Sequence, residues 1–530
     1  MDNVTAIGCT ILPAKAPTPR IHLITLLLAT FLVLMAGLMR MLPLLPDTDE
    51  PIFVESAMRI AASGNLDPGF YGNPGTTLIY PLALGAHLWH AATQQGMLLR
   101  PDPNLAADFA ATPWHYYYLS RLLTVAYGLL GVVFTALVGK RAFGRRASGW
   151  RIGLAAGWFF ALGPLVVMHA RLVRTDSAAT AFGMLALYLI LRLLDAPSWR
   201  LHLAAGVAIG LAIAARYFMV ALVAPLLAVD LLLYLRSRTL GAQPFAWQGA
   251  FLGLLSVPVI FLLSVPTLLP NFAKVVTDLR TEARSTHMGA DGLSFFGNLR
   301  WYATTGLVQS VQWPLAIAVW AGIILLVVER ALRPLLLLLF ALTFLVGVSL
   351  SPLHWHRWII PILPVLMLAA AVTLDRLATW AARRSPRLAT AYFGVGVLLL
   401  LAWPLGKTIL MDVRDAGPNT RLEARAWMAA HLPPASRLLQ ESYGAPLDNL
   451  SFRAEAIRSL ADTGDLSALR NLGYDYVVAS SAIYDRIFAE PERYPDEIAF
   501  YNQLFATSAL VKEFDPAWYE SGPVIRIYAP

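Results

Sequence analysis

Three acidic residues follow the first long apolar segment of the sequence, in the stretch 44–75 that begins "LLPDTDEP". Asp49 is a candidate base at the boundary between water and lipid, where partial desolvation and the neighbouring Glu50 favour proton uptake. The alternative is structural: Glu50 caps a helix that begins at Pro51, and Asp47 is merely solvated near that helix N-terminus. The residue types alone leave both interpretations open.

Charged residues recur in "MHARLVRTDSAAT", residues 168–180. Asp176 or Thr175 can cap the helix that follows, while Arg171 and Arg174 can extend to lipid head groups. Arginine is otherwise scarce on the membrane side to which this stretch is assigned below. These residues therefore also indicate an anion that the protein must hold.

A third group is "SPLHWHRWIIPILP", residues 351–364. His354 and His356 are a weak metal signal without a third ligand nearby, and the neighbouring tryptophans can anchor the chain at the interface. We favour recognition of a phosphate by Arg357 with help from the histidines. The sequence requires no cofactor and gives no further support for a divalent metal ion.

Arg121 ends the aromatic stretch "WHYYYLSR", residues 114–121, and lies about a turn inside an apolar run. The aromatic residues are typical of an interface belt, whereas an ionisable group inside a span is a functional candidate. Carboxylates and arginines around one cavity would suit transfer of a group from an anionic lipid, with proton transfer at one end and a leaving phosphate at the other.

Membrane spans must position these residues. The 530 residues are 57% hydrophobic and 14% charged, and their mean hydropathy is +0.59, which indicates a polytopic membrane protein. The first run is too long for a secretory signal, and the single Cys9 excludes an intrachain disulfide. Eleven runs have spanning length, near 21–45, 117–139, 152–169, 177–194, 202–215, 217–235, 247–268, 307–328, 334–350, 358–379 and 388–409.

The net charge of +8 does not indicate nucleic acid, because the basic residues are divided among alternate loops. Such loops are cytoplasmic, so the tail 1–20 is predicted inside and the C-terminus outside. The clusters are Lys140, Arg141, Arg145, Arg146 and Arg151; Arg236 and Arg238; Arg330 and Arg333; and Arg376, Arg383, Arg384 and Arg387.

The transmembrane domain is predicted at 21–411, with a structured first outer loop at 46–116. Within this loop, residues 51–63 and 76–93 are expected to be helices at the membrane interface, because a further span would violate the charge bias.

Charges and Pro/Gly turns return at 412–530, which predicts a small α/β domain on the outer face of the membrane. "TRLEARAWMAAHLPP" reads as a helix capped by Thr420 and stopped by Pro433, and two further stretches show a helix followed by a strand.

With these motifs in place, the sequence resembles the GT-C glycosyltransferases of the bacterial family 39 type, which include dolichyl-phosphate-mannose–protein mannosyltransferases and lipid A aminoarabinose transferase. The resemblance rests on Asp49–Glu50, "YYYLSRLLTVAYGLLG", "ARLVRTDSAATAF", "HWHRWIIPILPVL", "TRLEARAWMAAHLPP" and "YDYVVASS". It implies an all-α GT-C membrane domain, a polyprenyl-phosphate-linked sugar as donor, and inversion at the anomeric carbon by a single displacement.

The resemblance also implies roles. Asp49 would take the proton of the acceptor hydroxyl, Glu50 would shape the site, and Asp176 would be a second acidic residue of the cavity. Where relatives often carry Pro-Pro in the first loop, this chain has Asn73-Pro74, which leaves the sugar and acceptor pockets unassigned. The candidate phosphate-binding residues are Arg121, Arg174, Arg357, His354 and His356.

The sequence thus predicts an integral membrane glycosyltransferase that acts on a glycan, lipid or protein acceptor among membrane lipids. One alternative is a transferase that uses a polyprenyl-diphosphate-linked glycan. The other is a lipid or solute transporter, which would place ionisable groups near mid-membrane, whereas here they cluster at one end of the spans.

Overall fold

The computed structural model of the chain describes residues 19–42, 44, 47–94, 103–144, 147–239, 245–290 and 292–530. Residues 1–18 of the predicted cytoplasmic tail lie outside these ranges, as do Arg145 and Arg146 of the most basic loop.

The part of the chain before residue 417 is helical almost throughout, because a helix satisfies its own backbone groups in a medium without water. Shorter 3₁₀ helices span Tyr217–Leu222, His356–Ile362, Ala382–Arg384 and Pro386–Leu388, and a π-helical turn spans Tyr302–Gly306. The α-helices are α1 (Pro19–Ala36), α2 (Glu50–Ser63), α3 (Thr76–Gln94), α4 (Pro103–Ala111), α5 (Pro113–Ala142), α6 (Ala147–Ala161), α7 (Pro164–Ala170), α8 (Asp176–Leu193), α9 (Trp199–Ala215), α10 (Val223–Thr239), α11 (Trp247–Ser264), α12 (Phe272–Glu282), α13 (Phe295–Trp301), α14 (Leu307–Val311), α15 (Trp313–Glu329), α16 (Leu332–Ser349), α17 (Leu363–Ala381) and α18 (Ala389–Ala416).

Within the described residues, eight helices are long and apolar enough to cross a membrane, or nine if α6 and α7, which are bent by 68° at their junction, count as one span. Helices α9 and α15 are apolar but shorter. Together these elements coincide with the apolar runs predicted from sequence, so the polytopic all-α membrane domain is confirmed.

The connections contain more helix than the sequence predicts. Helices α2 and α3 occupy the two stretches expected in the first loop, but α4, the amphipathic α12 and the short α13 were not foreseen. The predicted run 307–328 is divided at Gln312, whose φ of 69° lies in the left-handed region and ends α14 before α15 begins.

Glycines let neighbouring spans approach closely. A Cβ added at Gly206 of α9 would lie 2.1 Å from the carbonyl oxygen of Gly253 in α11, and one added at Gly153 would lie 2.3 Å from that of Ala136. These two glycines therefore serve helix packing within the chain.

A small domain with a five-stranded sheet follows α18, as predicted. The strand order is β2-β1-β3-β5-β4; β1 runs parallel to β2 and β3, whereas β5 is antiparallel to β3 and β4. Its elements are α19 (Thr420–His431), β1 (Arg437–Glu441), β2 (Arg453–Ile457), a 3₁₀ helix (Leu460–Thr463), α20 (Leu466–Asn471), β3 (Tyr476–Ser480), α21 (Ser481–Phe488), α22 (Pro495–Thr507), β4 (Ala509–Phe514) and β5 (Ile525–Ala529).

One expected cap is corrected. The side chain of Asn419, not Thr420, accepts a hydrogen bond from the backbone N–H of Arg421 at 3.1 Å and caps α19. The Thr420 hydroxyl instead donates to the carbonyl of Pro523 at 2.6 Å, which ties the start of the domain to its last strand.

Candidate active site

A cavity of ≈ 990 Å³ lies where the spans meet the C-terminal domain. Segments far apart in the sequence line it: the start of α2, the loop before α3, the turn between α7 and α8, the end of α9, and the residues after α12 and α16. Tyr443 of the C-terminal domain completes the wall. The alternation of the spans thus brings most of the predicted residues to one end of the bundle.

Asp49 lies in this cavity between two arginines. Its carboxylate contacts Arg174 Nη1 at 3.0 Å and Arg357 Nη1 at 2.5 Å, and its side chain is 32% exposed. A carboxylate in hydrogen-bonding reach of the cavity is the kind of group that can act as a general base. Two of the predicted phosphate-binding residues are therefore neighbours of the predicted base.

Arg174 joins both aspartates of the "DTD" stretch. It also forms an ion pair with Asp47, which sequence reasoning had left as a solvated residue. Burial lowers the pKa of the Arg174 guanidinium, but the carboxylates of Asp47 and Asp49 more than compensate and hold this pKa above its usual range. A permanently charged cation therefore lies beside Asp49.

Glu50 and Arg121 pair with each other rather than facing the cavity. Arg121 Nε donates to Glu50 Oε1 at 2.8 Å and Nη2 to Oε2 at 2.6 Å, and the two residues are 1% and 0% exposed. Arg121 Nη1 donates to the carbonyls of Leu38 and Arg40, each at 2.8 Å. This use of its donors does not support the predicted contact of Arg121 with a phosphate.

Glu50 also orders the backbone on both sides of the site. Its carboxylate accepts hydrogen bonds from the N–H groups of Asp47 and Val173, both at 2.9 Å. The segment before α2 and the loop before α8 are thereby fixed to one buried ion pair, and these two segments carry Asp49 and Arg174.

Asp176 lines the cavity and forms an ion pair with Arg216. It is the first residue of α8, and the N-cap residue before it, Thr175, makes no side-chain cap hydrogen bond, so the capping interpretation is wrong for Thr175. Arg216 joins α9 to the 3₁₀ helix that follows, and sequence reasoning missed it. The signal was available, since Arg216 is an ionisable residue between two apolar runs on the same side as the others.

The two histidines of "HWHR" lie in different surroundings. His356 and Arg357 line the cavity, whereas His354 packs its ring 4.5 Å from that of Trp301 and donates its backbone N–H to Ala290. In the described parts of the chain, no group of three or more His, Cys, Asp or Glu side chains could hold a metal ion.

Asn73, which stands where relatives often carry proline, lines the cavity. Asn73 Nδ2 donates to Thr175 Oγ1 at 3.1 Å, beside Asp176. Gly75 makes this approach feasible: its φ is +58°, and a Cβ there would lie 2.9 Å from the Phe53 ring and 3.1 Å from Thr175.

Solved structures with the same architecture identify the fold. ArnT from Cupriavidus metallidurans in the apo state matches with a TM-score of 0.53 and 16% identity, over 96% of this chain and 98% of that chain. The chain has the GT-C fold. The same protein bound to undecaprenyl phosphate matches this GT-C fold with a TM-score of 0.50 and 16% identity, over 96% and 97% of the two chains.

Sequence comparison covers a part of the GT-C domain. The model of the dolichyl-phosphate-mannose-protein mannosyltransferase family matches residues 119–261, which include Arg174, Asp176 and Arg216 but neither Asp49 nor Arg357. No curated protein matches the chain in sequence.

Proposed function

We propose that this chain is a membrane glycosyltransferase that moves a sugar from a polyprenyl-phosphate donor to an acceptor hydroxyl, with inversion at the anomeric carbon. The observation that carries the proposal is a carboxylate held between two arginines in a cavity with one apolar wall. We place the reaction on the side of the C-terminal domain, at the periplasmic face of a bacterial inner membrane.

The apolar wall suits the lipid part of the donor. Val220 and Leu350 line the cavity and are 57% and 72% exposed, and both lie at the ends of membrane spans. In a bilayer such side chains face hydrocarbon, so a prenyl chain can leave the cavity between them without crossing water. The solved GT-C structure with undecaprenyl phosphate bound supports a donor of this class.

The arginines retain capacity for a phosphate. Among the described residues, Arg174 Nε and Arg357 Nε are buried and have no hydrogen-bond partner. Guanidinium groups bind phosphate oxygens with charge-assisted hydrogen bonds, which strengthen as the leaving group gains charge. We therefore assign the donor phosphate to Arg174 and Arg357, with His356 beside them and Arg216 on the far side.

In the proposed step, Asp49 accepts the proton of the acceptor hydroxyl while that oxygen attacks the anomeric carbon. The bond from this carbon to the phosphate oxygen breaks on the opposite face, and polyprenyl phosphate leaves with the electron pair. Glu50 and Arg121 are positioning residues in this scheme because they fix the two segments that carry Asp49 and Arg174.

The acceptor approaches from the polar wall, where Glu282, Arg284 and Tyr443 lie. These side chains offer charges and a hydroxyl to a polar acceptor, which fits a glycan, a lipid head group or a protein.

Purified Asp49→Asn protein tests the base assignment, with transfer from a polyprenyl-phosphate-linked sugar as the readout. Loss of a general base lowers the rate by about 10²- to 10⁴-fold. Asp47→Asn is the matched control, since it removes a carboxylate from the same arginine without removing the base, and we expect a loss below about tenfold. Near-wild-type transfer by Asp49→Asn would refute the assignment.

Two alternatives, a transferase that uses a polyprenyl-diphosphate-linked glycan and a lipid or solute transporter, predict other results. Mass spectrometry of the co-purified lipid distinguishes a monophosphate from a diphosphate carrier. Movement of a lipid-linked sugar across vesicle membranes without any glycosylated product would indicate a transporter.

A further inference from the structure

His169 lies in the cavity wall with both ring nitrogens unsatisfied. It is 4% exposed, and within the described part of the chain neither Nδ1 nor Nε2 has a hydrogen-bond partner. A buried polar group without a partner is costly, so such a side chain at a cavity indicates a missing ligand group. Neither the proposed base nor the phosphate-binding arginines account for it.

The bent span brings His169 to this place. Helix α6 ends at Ala161, and α7 begins at Pro164 after a 68° change of direction. The last turn of α7 therefore directs His169 into the cavity instead of continuing along the bundle. Apolar neighbours such as Val166 and Val167 bury the rest of the turn.

The chemistry of the ring restricts the ligand. His169 lines the cavity together with the cationic side chains of Arg174 and Arg216. A neutral imidazole has one donor and one acceptor nitrogen, whereas a phosphate oxygen only accepts and an arginine only donates. A hydroxyl does both and can also accept from the neighbouring guanidinium groups.

We propose that His169 binds a hydroxyl group of the transferred sugar and so recognises the donor by its sugar rather than its phosphate. The inference rests on the proposed function, since a sugar is present only if the donor is a glycosylated lipid phosphate. His169 is then a specificity residue that contacts the substrate, while Arg174 and Arg357 hold the phosphate common to donor and product.

The test uses the full chain purified from cells that make its own donor, with native mass spectrometry of the bound lipids. Two quantities are measured: the total polyprenyl phosphate bound, and the ratio of its glycosylated to its free form. In His169→Leu we expect this ratio to fall about three- to tenfold, the effect of one lost hydrogen bond, while the total changes less than twofold. His169→Asn keeps one donor and one acceptor and should retain a higher ratio than His169→Leu.

His431→Leu is the matched control, because His431 is exposed at the end of α19 and stacks on Trp427, away from the cavity. It should change neither quantity. An unchanged ratio in His169→Leu, or an equal loss of both lipid forms, would overturn the inference and leave His169 with a bound water or a packing role. Wild-type protein that binds no polyprenyl phosphate at all would instead overturn the proposed function.

Discussion

The two domains each bury a glutamate almost completely, but they surround it differently. Glu50 in the membrane domain is 0% exposed and faces the guanidinium of Arg121. Glu441 in the C-terminal domain is 1% exposed. Its donors among the described residues are neutral: the Tyr501 hydroxyl at 2.6 Å and the backbone N–H groups of Ser480 and Leu460 at 2.5 and 3.1 Å.

The two domains therefore stabilise a buried carboxylate in different ways. Arg121 balances the charge of Glu50, and the pair supports the segments around the candidate base. Burial raises the pKa of the Glu441 carboxyl to about 7, although the hydrogen bonds from Ser480 and Tyr501 lower it. Glu50 thus has a cationic partner, whereas Glu441 has neutral donors and a carboxyl pKa of about 7.

The largest effect is expected when the membrane pair is broken. Glu50→Gln leaves the Arg121 guanidinium buried without a counter-charge, which costs about 3–5 kcal/mol of folding free energy. We expect a large fall in the melting temperature of the purified protein and loss of transfer activity, because the segments that carry Asp49 and Arg174 lose their common anchor.

Two further variants sharpen this prediction. Glu50→Gln combined with Arg121→Met removes both charges and should regain part of the melting temperature. Glu513→Gln breaks the more exposed pair with Arg526 in the C-terminal domain and should change stability by no more than about 1 kcal/mol. If Glu50→Gln melts like wild type, the buried pair is not the anchor described above.

The neutral surroundings of Glu441 predict a dependence of stability on pH. Its pKa is about 7 in the folded chain against an ordinary value of 4.5, so the folded state binds more protons between these values. The stability of the C-terminal domain therefore falls as pH rises from about 4.5 to 7, by up to about 3 kcal/mol, and Glu441→Gln abolishes this step.

Hydrogen exchange of the full chain measures this step, with peptides over Arg437–Glu441 and Tyr476–Ser480 followed at pH 5 and pH 8 and corrected for intrinsic exchange. Wild-type protection should decrease at the higher pH, while Glu441→Gln should show little change. An equal decrease in both proteins would assign the pH dependence to another group.

The sequence predicts the membrane spans well but does not predict which side chains contact each other. Hydropathy locates each span because burial in lipid acts on a whole run of residues, and an ionisable residue at the end of a run identifies Asp49, Asp176 and Arg357 as candidates. The pair between Arg357 and Asp49 joins residues 308 positions apart, and only the folded bundle determines it.

The same limit applies to the two buried glutamates. Glu50 and Asp49 are adjacent in sequence, yet the turn before α2 directs one carboxylate into the protein and the other into the cavity. Glu441 gave no signal at all, because it ends the strand "RLLQE" and its donors come from β3, α22 and a 3₁₀ helix.

The smallest of the effects predicted around Glu441 concerns the hydroxyl group that supports its carboxylate. Tyr501→Phe removes a donor to the carboxylate and the contact of 2.8 Å with Ser459, at a cost of about 1–2 kcal/mol. Because the Tyr501 hydrogen bond lowers the pKa of Glu441, its loss should move the pH-dependent step above pH 7 instead of abolishing it.

The same hydrogen-exchange measurement, extended across several pH values, separates the two variants: Glu441→Gln flattens the profile and Tyr501→Phe shifts it upwards. A downward shift in Tyr501→Phe would mean that the hydroxyl stabilises the protonated carboxyl, and the comparison with Glu50 would then rest on burial alone.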